Sequence, residues 1–177
     1  SLMLLKMIKS FNYGMDFAGR PFKIEPKQIF PFAVVNAYAK NFGSLEKKMH
    51  LKIQNGAVGV ITQPVFDIEN VKKLLENFEN AKENVEGDKR KAQLIFGVFP
   101  ITKLRTALFL SAQVPGIHVP QFWIDELEKA HNISEEEEYK VGMQLSKNLF
   151  DEINRIHPKI HLMTANNKFE VASEILA

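Results

Sequence analysis

Four short stretches rich in β-branched and aromatic residues recur along the chain, and a longer amphipathic pattern follows each of them. They lie at residues 32–38, 58–62, 94–99 and 159–163. Their length and composition predict buried strands, and the 3.6-residue spacing of apolar positions between them predicts helices. The order βα thus occurs four times, with extra helices before the last strand. This alternation predicts an α/β fold with a parallel sheet covered by helices.

Capping residues locate several of the helices. Ser44 is predicted to cap a helix that runs to about Asn55, and Asp67 is predicted to cap the next one. Ser134 followed by Glu137 resembles a capping box at the start of a long helix that reaches about residue 156. The charged stretch 80–92 is predicted to be a loop. Further helices are predicted at residues 2–12, 103–113 and 121–130 and after the last strand.

Four βα units are half the complement of a (β/α)8 barrel. Four strands cannot close such a barrel, so three arrangements stay open. The missing half lies on residues outside this chain, another chain supplies it, or the sheet stays open as a flavodoxin-like layer. Periodicity does not choose among them.

The composition excludes several classes of protein. The 177 residues fall within the range of one domain. Lys and Arg total 23 against 21 Asp and Glu, with no long basic tract, so no nucleic-acid partner is expected. No apolar run approaches the roughly 20 residues of a membrane-spanning helix. Cysteine is absent, which excludes disulfides and zinc-thiolate sites and fits a reducing cytoplasm.

In either parallel architecture, ligands gather at the carboxyl ends of the strands. Gln63 follows the second strand, and its amide offers both donors and an acceptor, which would suit a heterocycle such as a pterin. Capping of the loop backbone explains Gln63 equally well. Lys52, near the end of a helix, is by its spacing a solvated lysine that favours the helix dipole. His161 alternates with apolar neighbours and is expected to be a hydrogen-bonded sheet residue.

Common cofactor and nucleophile motifs are missing from the sequence. The five histidines show no metal-ligand spacing, and no Gly-rich dinucleotide or phosphate loop occurs. No serine stands in a nucleophile elbow. A flavin or folate, if bound, would have to be held by barrel loops.

Three stretches together resemble the methylenetetrahydrofolate reductase family. Residues 52–57 and 60–67, KIQNGA and VITQPVFD, are similar to a family pattern of Lys-x-x-x-Gly-Ala followed by Ile-Thr-Gln-x-x-Phe-Asp. Residues 97–117 look most like the reductases that some bacteria fuse to a homocysteine methyltransferase. Residues 161–166, HLMTAN, resemble His-x-Tyr-Thr-x-Asn near the family's C-terminus. The matches span nearly the whole chain in consistent order.

This resemblance implies the C-terminal half of a (β/α)8 barrel over residues 1–177 and a flavoprotein of one-carbon and methionine metabolism. Such enzymes bind FAD and reduce 5,10-methylenetetrahydrofolate to 5-methyltetrahydrofolate with hydride from NADH or NADPH. Because they match the positions of FAD-contacting residues in the family, Tyr38 and Lys52 would contact FAD. Gln63, Thr164 and Asn166 would contact the folate. No catalytic residue is assigned, because the family's general-acid glutamate belongs to the N-terminal half.

The chain also departs from the family pattern at several positions. A proline-containing pair is expected after Tyr38, a tyrosine at 163 and, in some members, an arginine at 167, a glutamine at 106 and a phenylalanine at 110. The residues present are Ala39-Lys40, Met163, Asn167, Thr106 and Leu110.

Two functions therefore stay open. One is a flavin-dependent reductase whose other half lies outside the chain. The other is a non-catalytic half-barrel that binds or assembles with a separate polypeptide. In both cases we expect exposed apolar strand faces to require a homo-oligomer or association with the missing half.

Overall fold

The computed structural model describes residues 2–83, 85, 87, 91–165 and 169–177. The strands are β1 (Phe32–Val35), β2 (Gly59–Pro64), β3 (Gln93–Val98) and β4 (Ile160–Leu162). The helices are α1 (Leu2–Asn12), α2 (Phe42–Gln54), α3 (Ile68–Glu83), α4 (Leu104–Gln113), α5 (Gln121–His131), α6 (Glu135–Ile156) and α7 (Phe169–Leu176).

The four strands form one parallel sheet in the order β1-β2-β3-β4. β3 and β4 pair in parallel, with Gly97 opposite His161. The predicted spatial order of the strands is confirmed, as are the extra helices α5 and α6 before the last strand. The fold is therefore α/β and corresponds to half of a (β/α)8 barrel.

The chain divides into two compact units. The first comprises the residues up to Val35 together with Lys40–Ile61 and Leu75–Leu94. Its small apolar cluster joins Leu5 of α1 to Ala33 of β1 and to Ala57.

The second unit comprises Asn36–Ala39, Thr62–Leu74 and Ile95–Ala177. Met143 of α6 packs there against Val171 and Ile175 of α7, and Leu162 of β4 contacts this cluster. The side chains of α6 and α7 thus cover one face of β4.

Two strands end differently from the prediction. β1 stops at Val35 instead of residue 38, because the Asn36 side chain accepts the Tyr38 N–H at 2.8 Å and turns the backbone out of the strand. β2 continues to Pro64, so Gln63 lies inside the strand and not in the loop after it. The ladder extends further still, since the Val65 N–H donates to the Gly97 carbonyl at 3.0 Å.

The predicted N-terminal cap of α2 was also wrong. Asn41, not Ser44, caps α2, and its side chain accepts the Ser44 N–H at 2.9 Å. Both residue types favour this position, and the helix begins at the earlier of the two. By contrast, Asp67 accepts the Asn70 N–H at the start of α3, and Ser134 accepts the Glu137 N–H at the start of α6, both as predicted.

The predicted loop 80–92 begins too early, since α3 continues to Glu83. Phe78 and Ala81 are both buried, so the apolar face of the helix extends one turn beyond the predicted end. His161 also departs from expectation. It lies in β4 as predicted, but its side chain is exposed and makes no hydrogen bond with the described part of the chain.

No helix in the described ranges is long and apolar enough to cross a membrane. Within the same residues, no group of three or more His, Cys, Asp or Glu side chains could hold a metal ion.

Candidate functional site at the carboxyl ends of the strands

The carboxyl ends of the strands carry a cluster of polar and aromatic side chains in the second unit. Asn36 and Tyr38 follow β1, Gln63 lies near the end of β2, and the loop of residues 114–118 follows α4. Gln63 contacts Pro115 of this loop, and Tyr38 contacts His118. This is the edge of the sheet at which parallel α/β proteins bind their ligands.

The hydroxyl group of Tyr38 is fully engaged by the protein. It accepts the main-chain N–H of Phe66 at 2.7 Å, while the phenol ring packs edge-on against His118 with centroids 5.5 Å apart. Burial, and after it the negative charge of Asp67, raises the pKa of the Tyr38 phenol far above its usual value. Tyr38 is therefore neutral, and its ring is fixed by the contact of its hydroxyl group with Phe66 and by the packing against His118.

The segment after β2, which Tyr38 contacts, also contacts Trp123 of α5. Phe66 is 1% exposed, and its carbonyl accepts the indole N–H of Trp123 at 3.1 Å. The two rings pack nearly perpendicular with centroids 5.7 Å apart. Since both main-chain polar groups of Phe66 are satisfied, the chain just beyond Gln63 has a fixed course.

Gln63 is half-buried and has unused hydrogen-bonding capacity. Its Nε2 donates to the Pro115 carbonyl at 3.5 Å, a long and therefore weak bond. Its side chain makes no other hydrogen bond with the described residues. The amide thus keeps its acceptor oxygen and a second N–H for another partner. The loop-capping interpretation accounts for one weak contact out of the four that the amide can make.

A glycine allows the loop to approach this amide closely. Gly116 has φ +83°, and a Cβ atom there would lie 2.5 Å from Asn36 Nδ2 and 2.8 Å from Gln63 Oε1. A side chain at this position would displace both amides, and the backbone conformation also favours glycine. The sequence therefore brings two amide side chains against a bare stretch of backbone.

Gly97 of β3 also allows neighbouring groups to come close to the backbone. A Cβ atom on Gly97 would lie 2.6 Å from the Thr62 carbonyl oxygen and 2.8 Å from the Met163 methyl group. The Gly97 N–H donates to the Thr62 hydroxyl at 2.9 Å. The missing side chain lets Met163 reach the part of the sheet where Gln63 lies.

Lys52 belongs to the first unit, where its ammonium group donates to the main-chain carbonyl of Val34. Pro31 already uses its carbonyl to pair with Val58, so the alternation of a strand directs the Val34 carbonyl to the opposite, open edge of β1. Burial, and after it the charge of Lys48, lowers the pKa of the Lys52 ammonium. The expected solvated lysine is thus a half-buried cation with a cationic neighbour.

Thr164 lines a separate cavity of about 200 Å³ in the second unit, together with residues at the start of α4. Asn166 lies outside the described residues. The structure therefore groups Gln63 and Tyr38 around the loop 114–118 and places Thr164 in a neighbouring cavity of the same unit.

The family model of methylenetetrahydrofolate reductase matches residues 3–177. The chain belongs to this family. A solved structure of an uncharacterized protein from Clostridium thermocellum, described as binding two copies of 5-methyl-5,6,7,8-tetrahydrofolic acid, is similar with 21% sequence identity and a TM-score of 0.58. The similarity covers 82% of this chain and 50% of that one, so the chain spans about half the length of that structure. No curated protein sequence matches the chain.

In this member of the reductase family, several residues around the site were not identified from the sequence. Asn36 and Gly116 surround the Gln63 amide, and His118 packs on Tyr38. Asn36 could have been identified as the polar residue that interrupts the apolar run of the first predicted strand. Nothing local distinguishes His118 from the other histidines, since its role depends on a loop that returns to the end of β1.

Proposed function

We propose that this chain is the folate-binding half of a flavin-dependent methylenetetrahydrofolate reductase. The complete enzyme would reduce 5,10-methylenetetrahydrofolate to 5-methyltetrahydrofolate in the cytoplasm, with NADH or NADPH as the hydride donor. The supporting observation is the Gln63 amide near the carboxyl end of β2, whose oxygen and second N–H make no hydrogen bond with the residues that the structure describes.

A pterin edge presents adjacent donors and acceptors, and an amide is the side chain that meets both at once. The long contact to Pro115 costs little to lose, so a ligand can replace it. The fixed course of the chain at Phe66 keeps the amide in place before the ligand arrives, which lowers the entropic cost of binding. Gln63 would thus orient the pterin ring, and Thr164 and Asn166 are proposed as further folate contacts.

The residues assigned to FAD are chemically suited to it. Lys52 and Lys48 concentrate positive charge on α2, and the lowered pKa of Lys52 indicates that an anionic partner would be favourable there. A pyrophosphate is such a partner. Tyr38 is a fixed aromatic ring just after β1, a residue type suited to contact a flavin. When bound, the flavin would accept hydride from the nicotinamide and pass it to the folate, while these side chains bind and orient it.

Replacement of Gln63 in the complete, FAD-containing protein tests this proposal. Gln63→Ala should lower folate turnover by about one to two orders of magnitude, because unpaired polar groups at a ligand site cost roughly 1–3 kcal/mol. Gln63→Glu should also impair it, since a carboxylate lacks the amide's donors. Steady-state reduction of methylenetetrahydrofolate measures the turnover, and the flavin absorbance of the same samples measures the FAD content.

Gln93→Ala is the matched control, because this glutamine lies exposed at the amino end of β3, away from the strand ends that bind ligands. Flavin content should be unchanged in all variants. If Gln63→Ala turns over folate at the wild-type rate, Gln63 is a loop cap and the proposal fails.

A non-catalytic half-barrel that pairs with another polypeptide is the second candidate. The exposed side chains of Phe32 and Val34, at 52% and 59%, call for a covering partner in this candidate as in the enzyme. Apolar residues on one face of a strand are normally covered. A purified complete protein that is colourless and binds no folate, yet forms a stable complex through this strand, would support this candidate over the enzyme.

A further inference from the structure

Asn36 carries an amide that the proposed function does not use. It follows β1 directly, belongs to the second unit and is exposed. Its Oδ1 accepts the Tyr38 N–H at 2.8 Å, and this bond fixes which end of the amide is the nitrogen. Nδ2 makes no hydrogen bond with the residues that the structure describes. The turn after β1 therefore holds two N–H donors in place without using either of them.

The neighbouring amide of Gln63 is oriented the opposite way. Its Nε2 donates to the Pro115 carbonyl, so its oxygen is the end that is left over. A Cβ atom on Gly116 would lie 2.5 Å from Asn36 Nδ2 and 2.8 Å from Gln63 Oε1. Two atoms so close to one point are less than two hydrogen-bond lengths apart. A donor and an acceptor, both unused within the described part of the chain, therefore lie side by side.

The loop against these amides has a fixed shape. Gly116 is the third residue of a turn that the Ile117 N–H closes by donating to the Val114 carbonyl at 3.2 Å. Its φ of +83° suits that position, which favours glycine. One residue after the turn, His118 packs on the ring of Tyr38. The spacing of the two amides is therefore set before a ligand binds, which lowers the entropic cost of recognition.

We propose that Asn36 is a second recognition residue of this site and that it binds the lactam edge of a fused heterocycle jointly with Gln63. A lactam edge is a ring carbonyl beside a ring N–H, so it needs a donor and an acceptor side by side. In a pterin, the 4-oxo oxygen would accept from Asn36 Nδ2, and the neighbouring N3–H would donate to Gln63 Oε1.

The inference rests on the proposed function and extends it to the choice between two kinds of pteridine. A 4-amino ring presents a donor where the 4-oxo ring has an acceptor, and its N3 carries no hydrogen. It therefore matches neither Asn36 Nδ2 nor Gln63 Oε1. Discrimination of this kind is strong where a site's polar groups would be left unpaired by the wrong ligand.

Calorimetry on the complete, flavin-containing protein with 7,8-dihydrofolate and its 4-amino analogue tests this pairing. Neither ligand carries the one-carbon unit of the proposed reaction, so binding is measured without turnover. Wild type should bind the 4-oxo ligand about tenfold more tightly, because the 4-amino ring leaves polar groups unpaired. This wild-type preference does not depend on any variant folding.

Asn36→Asp isolates the donor. The carboxylate keeps an oxygen for the Tyr38 N–H but has no N–H of its own. The variant should bind 7,8-dihydrofolate about tenfold more weakly and lose most of the preference for the 4-oxo ring. The added charge acts on both ligands, so the ratio of the two affinities reports the lost donor.

Asn41→Asp is the matched control. Asn41 also accepts a main-chain N–H through its Oδ1, that of Ser44 at 2.9 Å, and it belongs to the first unit. The change adds the same charge and should leave the ratio of the two affinities at its wild-type value. Neither variant should lower the unfolding midpoint or the flavin content.

A wild-type protein without the preference, or an Asn36→Asp variant that keeps it, would overturn the pterin pairing and leave the proposed function standing. The isoalloxazine ring of a flavin carries a lactam edge as well. If Asn36→Asp lowers the flavin content while the ratio of the two affinities stays at its wild-type value, the edge that Asn36 binds is that of the flavin. A wild-type protein that holds no flavin and binds neither ligand would overturn both proposals.

Discussion

Loss of a single hydroxyl group should loosen the segment that follows β2. Tyr38→Phe keeps the ring on His118 but leaves the N–H of Phe66, a 1% exposed residue, without its acceptor. An unsatisfied buried donor costs about 1–3 kcal/mol. For a chain of this length, each kcal/mol lowers Tm by about 2–4 °C, so the expected fall is about 2–12 °C.

Urea and thermal unfolding of the purified protein measure this cost, and Tyr139→Phe is its control. The Tyr139 hydroxyl donates to Glu174 at 2.7 Å at an exposed position, where water can replace the lost partner, so its removal should cost less than about 1 kcal/mol. Equal unfolding midpoints for Tyr38→Phe and wild type would refute the argument that this hydroxyl fixes the Phe66 segment.

Three further perturbations follow from the structure. Burial raises the pKa of the Tyr38 phenol above its usual value of about 10. The contribution of Tyr38 to the free energy of unfolding is therefore complete below about pH 10 and is lost as the pH rises further. Between neutral and alkaline pH, Tyr38→Phe should lose less stability than wild type, as unfolding curves at each pH would measure. Gly97→Ala should lower the free energy of unfolding, measured in urea, by about 1–3 kcal/mol, because its Cβ would lie 2.6 Å from a carbonyl oxygen of the neighbouring strand. Gly43→Ala is the control: its Cβ would make an ordinary 3.5 Å contact in a helix, so it should be neutral or stabilise by up to about 1 kcal/mol. Lys52→Met should lower the FAD content of the complete protein, and Lys47→Met, an exposed change on the same helix, should not; unchanged flavin absorbance in Lys52→Met would remove this lysine from the cofactor site.

The strands and their order could be predicted because each strand is a short β-branched or aromatic run between turn signals. Their ends were less predictable. β1 ends early because the Asn36 side chain competes for the Tyr38 N–H, and α2 begins early because Asn41 and Ser44 are both good caps. Local propensity does not decide between such neighbours.

The position of Gln63 near the carboxyl end of β2 could be predicted, because such a residue has a known place in a parallel sheet, although the strand runs one residue beyond it. The cavity beside Thr164 could not be. Thr106 of α4 and Thr164 line it together, although they are some sixty residues apart in the chain. Such long-range proximity leaves no local pattern to read.

We propose that the complete protein exchanges hydride between a bound flavin and a folate. The most direct measurement is the visible absorbance of the purified complete protein under anaerobic conditions as 5-methyltetrahydrofolate is added. We expect a yellow protein whose oxidised-flavin absorbance falls when the folate is added, with a much slower fall in Gln63→Ala. A protein that carries flavin whose spectrum does not change with the folate, or one that carries no flavin at all, would contradict it.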